Sequence, residues 1–205
     1  MSRSARSLAT ALLAGTTLLG GCAPLLMGGA VVGGSLLAID RRTSGAQIDD
    51  QAIEVKSKNR IRTLLADRGH VDVVSYNRIV LITGEVPTEA DKAAVGQAVG
   101  QVENVRSLVN ELVASGASSW TGRSADAILT GRVKASLLDA GDALGNHVKV
   151  VSERGIVYLM GRVSASEADR ASDVVRAIRG VQKVVRVFEV VSEDELPKPE
   201  QRSPG

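Results

Sequence analysis

The side chains best able to do chemistry are few: one cysteine, Cys22, and two histidines, His70 and His147, in 205 residues. A lone cysteine can be half of an intermolecular disulfide, a metal ligand, a nucleophile or a point of covalent attachment, and its neighbours choose among these. Neither histidine sits in a motif with a carboxylate or a thiol to activate, so capping or surface roles are expected of both. Asp67 and Asp139 are expected at helix ends rather than in acid/base work. No group of ligands clusters at metal-binding spacing. Gly28-Gly29 and Gly33-Gly34 do not lie between a strand and a helix, as a phosphate-cradling loop would require. The expectation is a protein with no catalytic residue, no metal and no cofactor.

The surroundings of Cys22 favour covalent attachment. Arg3 and Arg6 give a basic start, Leu8 to Leu19 is a short apolar run, and Gly20-Gly21 precede the cysteine. That order makes a secretory signal over residues 1–21, too short to span a bilayer stably. Its ending, Leu19-Gly20-Gly21-Cys22, resembles the lipobox of bacterial lipoproteins, with glycine a less usual occupant at Gly20. The resemblance implies that the thiol of Cys22 is acylated and, since Ala23 stands where aspartate would signal inner-membrane retention, that the destination is the outer membrane. A chain without other cysteines also suits an oxidising compartment. Residues 22–48 then form a lipidated leader. Its apolar part, Ala23 to Ile39, holds four glycines, each costing up to about 1 kcal/mol in a helix, and is expected at the membrane surface or against the folded body. Asp40-Arg41-Arg42 ends it, with the arginine pair either at anionic head groups or in a solvated turn.

An internal repeat organises the rest. Ile79-Val80-Leu81-Ile82-Thr83-Gly84-Glu85-Val86 recurs as Ile156-Val157-Tyr158-Leu159-Met160-Gly161-Arg162-Val163, and Glu89-Ala90-Asp91-Lys92-Ala93 as Glu167-Ala168-Asp169-Arg170-Ala171. A period near 77 is too long for a solenoid, so each copy is a domain: residues 49–114 and 124–191, joined by a linker over 115–123 and followed by a disordered tail over 192–205. Within each copy, β-branched runs separated by Tyr76-Asn77-Arg78 or Glu153-Arg154-Gly155 predict hairpins. Thr88 to Asp91 and Ser164 to Glu167 predict helix caps. Val95, Ala98, Val99 and Val102, and likewise Ala171, Val174, Val175 and Ile178, give a one-sided helix after each hairpin. Closing strands are expected at Val105 to Val113 and Val184 to Val191, and opening helices at about Asp50 to Ala66 and Ala125 to Leu138. The fold class is α+β: two tandem αββαβ units, each a three-stranded mixed sheet packed against two helices. Each unit is expected to fold alone.

GEVPTEADK and GRVSASEADR after the hairpin strands, with closing V-x-x-V segments at Val102 to Val105 and Val181 to Val184, resemble the BON domain. Two such units behind a lipobox are similar to the dual BON-domain outer-membrane lipoproteins of Gram-negative bacteria. The resemblance implies lipid anchoring on the periplasmic face and binding of anionic phospholipid by the second domain. It also implies support of envelope integrity and, in some members, accumulation at the division site. Charge agrees in sign: residues 49–113 hold 8 basic and 10 acidic side chains, residues 123–191 hold 11 and 8. Trp120, the sole tryptophan, is expected either against a domain edge or at a membrane interface. The lipid-binding expectation falls on Trp120, Thr121, Arg123, Ile128, Leu129, Arg132 and Lys134. Leu129 also shares a helical stripe with Val133 and Leu137 that reads as core. The rival reading is a protein-interaction module that docks an envelope protein through the acidic first copy. Export and few aromatic stacking platforms argue against nucleic acid as partner, and no small-molecule substrate is expected.

Overall fold

A computed structural model describes residues 40–66, 68–115, 120–141 and 144–196, without the side chains of Trp120 and Thr121. Cys22, the signal, the apolar leader and the last nine residues lie outside that description. Helix α1 (Ser44–Leu65) starts earlier than expected because the Thr43 hydroxyl accepts from the Ala46 N–H and caps it. Its buried residues, Ala46, Asp50, Ile53, Ser57, Ile61 and Leu65, recur every three or four positions and form one stripe. Strands β1 (His70–Tyr76) and β2 (Ile79–Val86) pair antiparallel across the two-residue turn Asn77-Arg78, both at positive φ (49° and 67°). That left-handed pair matches the right-handed twist of the flanking strands.

Thr88 caps α2 (Glu89–Gly100), which buries Val95 and Val99 and returns the chain parallel to β2. The expected single closing strand is instead two pieces, β3 (Ser107–Asn110) and β4 (Val113–Ala114), both beside β2. The Asn110 side chain causes the break. It donates to the Lys92 carbonyl (3.0 Å) and accepts from the Leu112 N–H (3.2 Å), which turns Leu112 into the core at 1% exposure.

The second copy repeats the order. Helix α3 (Trp120–Asp139) begins inside the expected linker and a short helix, α4 (Leu144–His147), follows it. Strands β5 (Lys149–Glu153) and β6 (Ile156–Val163) meet at the turn Arg154-Gly155, again both at positive φ (54° and 74°). Helix α5 (Ala165–Arg176) opens with a full capping box between Ser164 and Glu167, and β7 (Lys183–Val190) runs unbroken and parallel to β6. Ser192 to Leu196, expected as the start of a disordered tail, form a 3-10 turn over Glu193–Glu195.

Strand alternation sorts the apolar side chains into three clusters. Val73, Val80 and Ile82 face α1 and α2. Val150, Val157 and Leu159 face α3 and α5. The opposite faces of both sheets meet each other: Tyr76 and Leu81 from the first copy are buried with Tyr158, Met160 and Val187 from the second. The layers run helices, sheet, sheet, helices. The copies therefore share a third apolar cluster, which each alone would expose to water. Among the described residues no helix is long and apolar enough to cross a membrane.

Candidate functional site

Helix α3 carries the expected lipid face, and its stripe decides which residues can reach a ligand. Leu129, Val133 and Leu137 are buried in the second core as their helical spacing predicts, and Leu129, at 6% exposure, offers little surface to a membrane. Ile128, one position earlier, is 58% exposed, and Arg132 and Lys134 are exposed. Arg123 is half-buried and turned elsewhere, its guanidinium 3.5 Å from Nδ1 of His70. Helix α3 includes Trp120 and Thr121 in its first turn, but their side chains lie outside the described residues.

Beside this face is a groove of about 420 Å³. Ala125, Asp126, Leu129 and Arg132 of α3 form one wall, the hairpin turn Arg154-Gly155 a second, and Arg179, Gly180 and Gln182 after α5 a third. Asp126 is committed to structure: its oxygens accept from the N–H groups of Arg154 (2.8 Å) and Gly155 (2.9 Å), closing the turn. The net result is three guanidinium groups around an apolar floor. Arg132 and Arg179 enter no ion pair among the described residues, while Arg154 lies 3.9 Å from Glu85. Arg154 and Arg179 were not singled out from sequence. Each adjoins a glycine at positive φ, Gly155 (74°) and Gly180 (104°), and an arginine beside a turn glycine is the signal that would have found them.

A model of the BON domain matches twice, over residues 49–116 and 125–192. The chain belongs to the BON-domain family. It is 38% identical over 179 residues to "Outer membrane lipoprotein DolP" of Haemophilus influenzae, covering 86% of this chain and 92% of that protein. It is 34% identical over 157 residues to "21 kDa hemolysin" of Actinobacillus pleuropneumoniae, covering 75% and 80%. Identity to "Osmotically-inducible protein Y" of Escherichia coli is 30% over 148 residues, covering 68% and 72%.

The residues of the first BON domain that correspond to this groove are arranged differently. Asp50 holds the first hairpin turn as Asp126 holds the second, accepting from Asn77 N (2.8 Å) and Arg78 N (2.7 Å). The residue before it is Asp49 in the first domain and Ala125 in the second. Asp49 captures Arg78 at 2.6 Å, Arg60 donates to the Ala98 carbonyl at 2.8 Å, and Glu103, where the second domain has Gln182, pairs with Lys56 at 2.9 Å. Lys56, Arg60 and Arg78 of the first domain are thus each held by a neighbour within that domain.

The arginine pair after the leader is neither solvated nor free for head groups. Arg41 grips Glu167 with both terminal nitrogens (2.6 and 2.8 Å), a bidentate, charge-assisted pair. Arg42 bonds Asp40 and Asp50 and stacks 4.4 Å above the Tyr76 ring. Further pairs rim the joint between the domains: Lys149 with Glu54 at 3.3 Å and Arg106 with Glu189 at 2.9 Å. At one end of the joint, His70 and Asp72 of β1 meet Glu153 of β5, their ligand atoms all within 4.8 Å of one another. This corrects the expectation that no metal-type ligands cluster, and the cause is tertiary, since the two domains contribute separately. Burial, then the charges of Glu85, Asp126 and Asp72, push Glu153 up to about 7.

Proposed function

We propose that this BON-domain protein is lipid-anchored at the periplasmic face of the outer membrane through Cys22. In this reading its second domain binds anionic phospholipid, in a role that supports envelope integrity and division-site accumulation. Binding, not catalysis, is its activity. The observation that carries the reading is that Arg132 and Arg179, in the groove beside exposed Ile128, enter no ion pair among the described residues, whereas Lys56, Arg60 and Arg78 of the first domain are each held by a neighbour. Guanidinium groups take phosphate oxygens bidentately. Each cation near an anionic leaflet contributes about 1 kcal/mol, and Ile128 adds apolar contact at the boundary. The similarity to an outer-membrane lipoprotein supports the location. Acyl chains, at about 0.8 kcal/mol per buried methylene, supply the anchor itself. Cys22→Ala is therefore expected to move the protein from the membrane fraction to the soluble one, and firm retention of that variant in the outer membrane would remove the lipoprotein reading.

Sedimentation of the Cys22→Ala chain with phosphatidylglycerol vesicles tests the lipid site. Ile128→Glu with Arg132→Glu reverses local charge without touching the core stripe, and is expected to weaken binding more than about tenfold. Unchanged binding in that folded variant, with loss in Lys58→Glu/Arg60→Glu, would transfer lipid recognition to the first domain. A second reading has its own support. Ile48 (68% exposed) and Val55 (60% exposed) stand two turns apart on α1 of the first domain, an apolar strip suited to docking an envelope protein. Ile48→Asp with Val55→Asp would then abolish crosslinks to that partner in cells while leaving vesicle binding intact.

A further inference from the structure

We propose that His70, Asp72 and Glu153 form a divalent transition-metal site that bridges the two BON domains, with Zn2+ as the ion that fits the ligand set. Glu153 carries the argument. It is only 8% exposed, and its Oε1 is buried with no hydrogen-bond partner, a costly state for a carboxylate oxygen unless something cationic reaches it. That side chain lies in the His70–Asp72–Glu153 cluster. Local charge is acidic: Glu85, at 1% exposure, and Asp126 lie nearby, with Arg154 as the cation facing them at 3.9 Å from Glu85. The Asp126 oxygens are already committed to the hairpin turn.

Geometry fits a tetrahedral ion. Ligand atoms about 2.0–2.2 Å from zinc lie roughly 3.4 Å from each other. His70 Nε2 and Asp72 Oδ2 are 3.3 Å apart, and all three donors fall within 4.8 Å, so side-chain rotation of about an ångström closes the set. One imidazole and two carboxylates neutralise the ion and leave a fourth position for water, on the side where Asp72 is exposed. Calcium and magnesium prefer all-oxygen shells, whereas an imidazole ligand selects zinc and its neighbours. A metal on Nε2 leaves the proton on Nδ1, which turns the Arg123 guanidinium away from its 3.5 Å approach. Because His70 and Asp72 belong to the first domain and Glu153 to the second, the ion would staple the joint beside the lipid groove. The inference does not depend on lipid binding.

Titration of Zn2+ alone against the tag-free Cys22→Ala chain, followed by calorimetry and by thermal melting, tests it. One equivalent should bind and raise the melting temperature. His70→Ala and Glu153→Gln should each weaken affinity at least about tenfold and abolish the rise, while His147→Ala leaves both unchanged. If Glu153→Gln fails to fold, Asp72→Asn, at an exposed position, decides by the same loss. Absence of binding to the parent overturns the site, and so does equal affinity in the parent, His70→Ala and Asp72→Asn.

Discussion

Arg41 shows how much one side chain can join in this fold. It reaches from the segment before α1 to Glu167 at the start of α5, and the same carboxylate accepts from the Ser164 N–H to complete the capping box. The Arg41 hydrogen bonds hold Glu167 below its ordinary value of 4.5. A lowered native value means that the stabilisation is complete above about pH 4.5 and is lost as pH falls through the native value. Arg41→Ala is expected to cost roughly 1–3 kcal/mol at pH 7, and the gap between variant and parent should narrow steadily below pH 4.5 in thermal melts. A constant gap across that range would mean that Arg41 acts through packing of its stem. The cap at Ser164 was legible because its partner is three positions away. The Arg41 contact was not, because its partner is 126 positions away, and no local rule reaches that far.

At the scale of elements, the hairpins depend on close backbone approach. Gly84 sits opposite Val71 at φ 115°, and a Cβ there would lie 2.0 Å from the His70 carbonyl oxygen. No side-chain movement relieves a clash with backbone, so Gly84→Ala must displace the start of β1 and is expected to cost more than about 2 kcal/mol. Denaturant melts measure the loss, and hydrogen exchange should localise it to His70 through Val73. Gly161 meets the His147 carbonyl similarly, at 2.6 Å, so the repeated glycine has the same cause in both domains. Helices and hairpins were readable from period and turn residues. The broken closing strand was not, since it follows from Asn110 reaching the Lys92 carbonyl across the fold. On α3 the buried stripe Leu129, Val133 and Leu137 was foreseeable from helical spacing, whereas Arg154 and Arg179 join the groove only because two loops converge on that helix.

For the whole molecule, the sheet-to-sheet core is the largest departure from a pair of independent domains. Tyr158 and Met160 are at most 2% exposed, and they are buried against Tyr76 and Leu81 of the other domain. Removing the first domain would bare them together with Val187. A fragment covering residues 123–192 is therefore expected to melt well below the full chain and to bind a hydrophobic dye. Met160→Ala in the full chain should cost about 2–5 kcal/mol. Equal melting temperatures for fragment and full chain would show that the shared core contributes little. The sequence by itself determined the duplication, the αββαβ order, the caps, the turns and the inward faces of α2, α3 and α5, because those follow from neighbours within one or two turns of chain. Tertiary structure alone decided which cations stay unpaired, that Arg41 and Arg42 serve the joint, and that His70, Asp72 and Glu153 meet. The first depends on two loops converging on α3, and the other two on which outer faces the sheets press together; alternation along a strand shows that two faces are apolar without showing what covers the second.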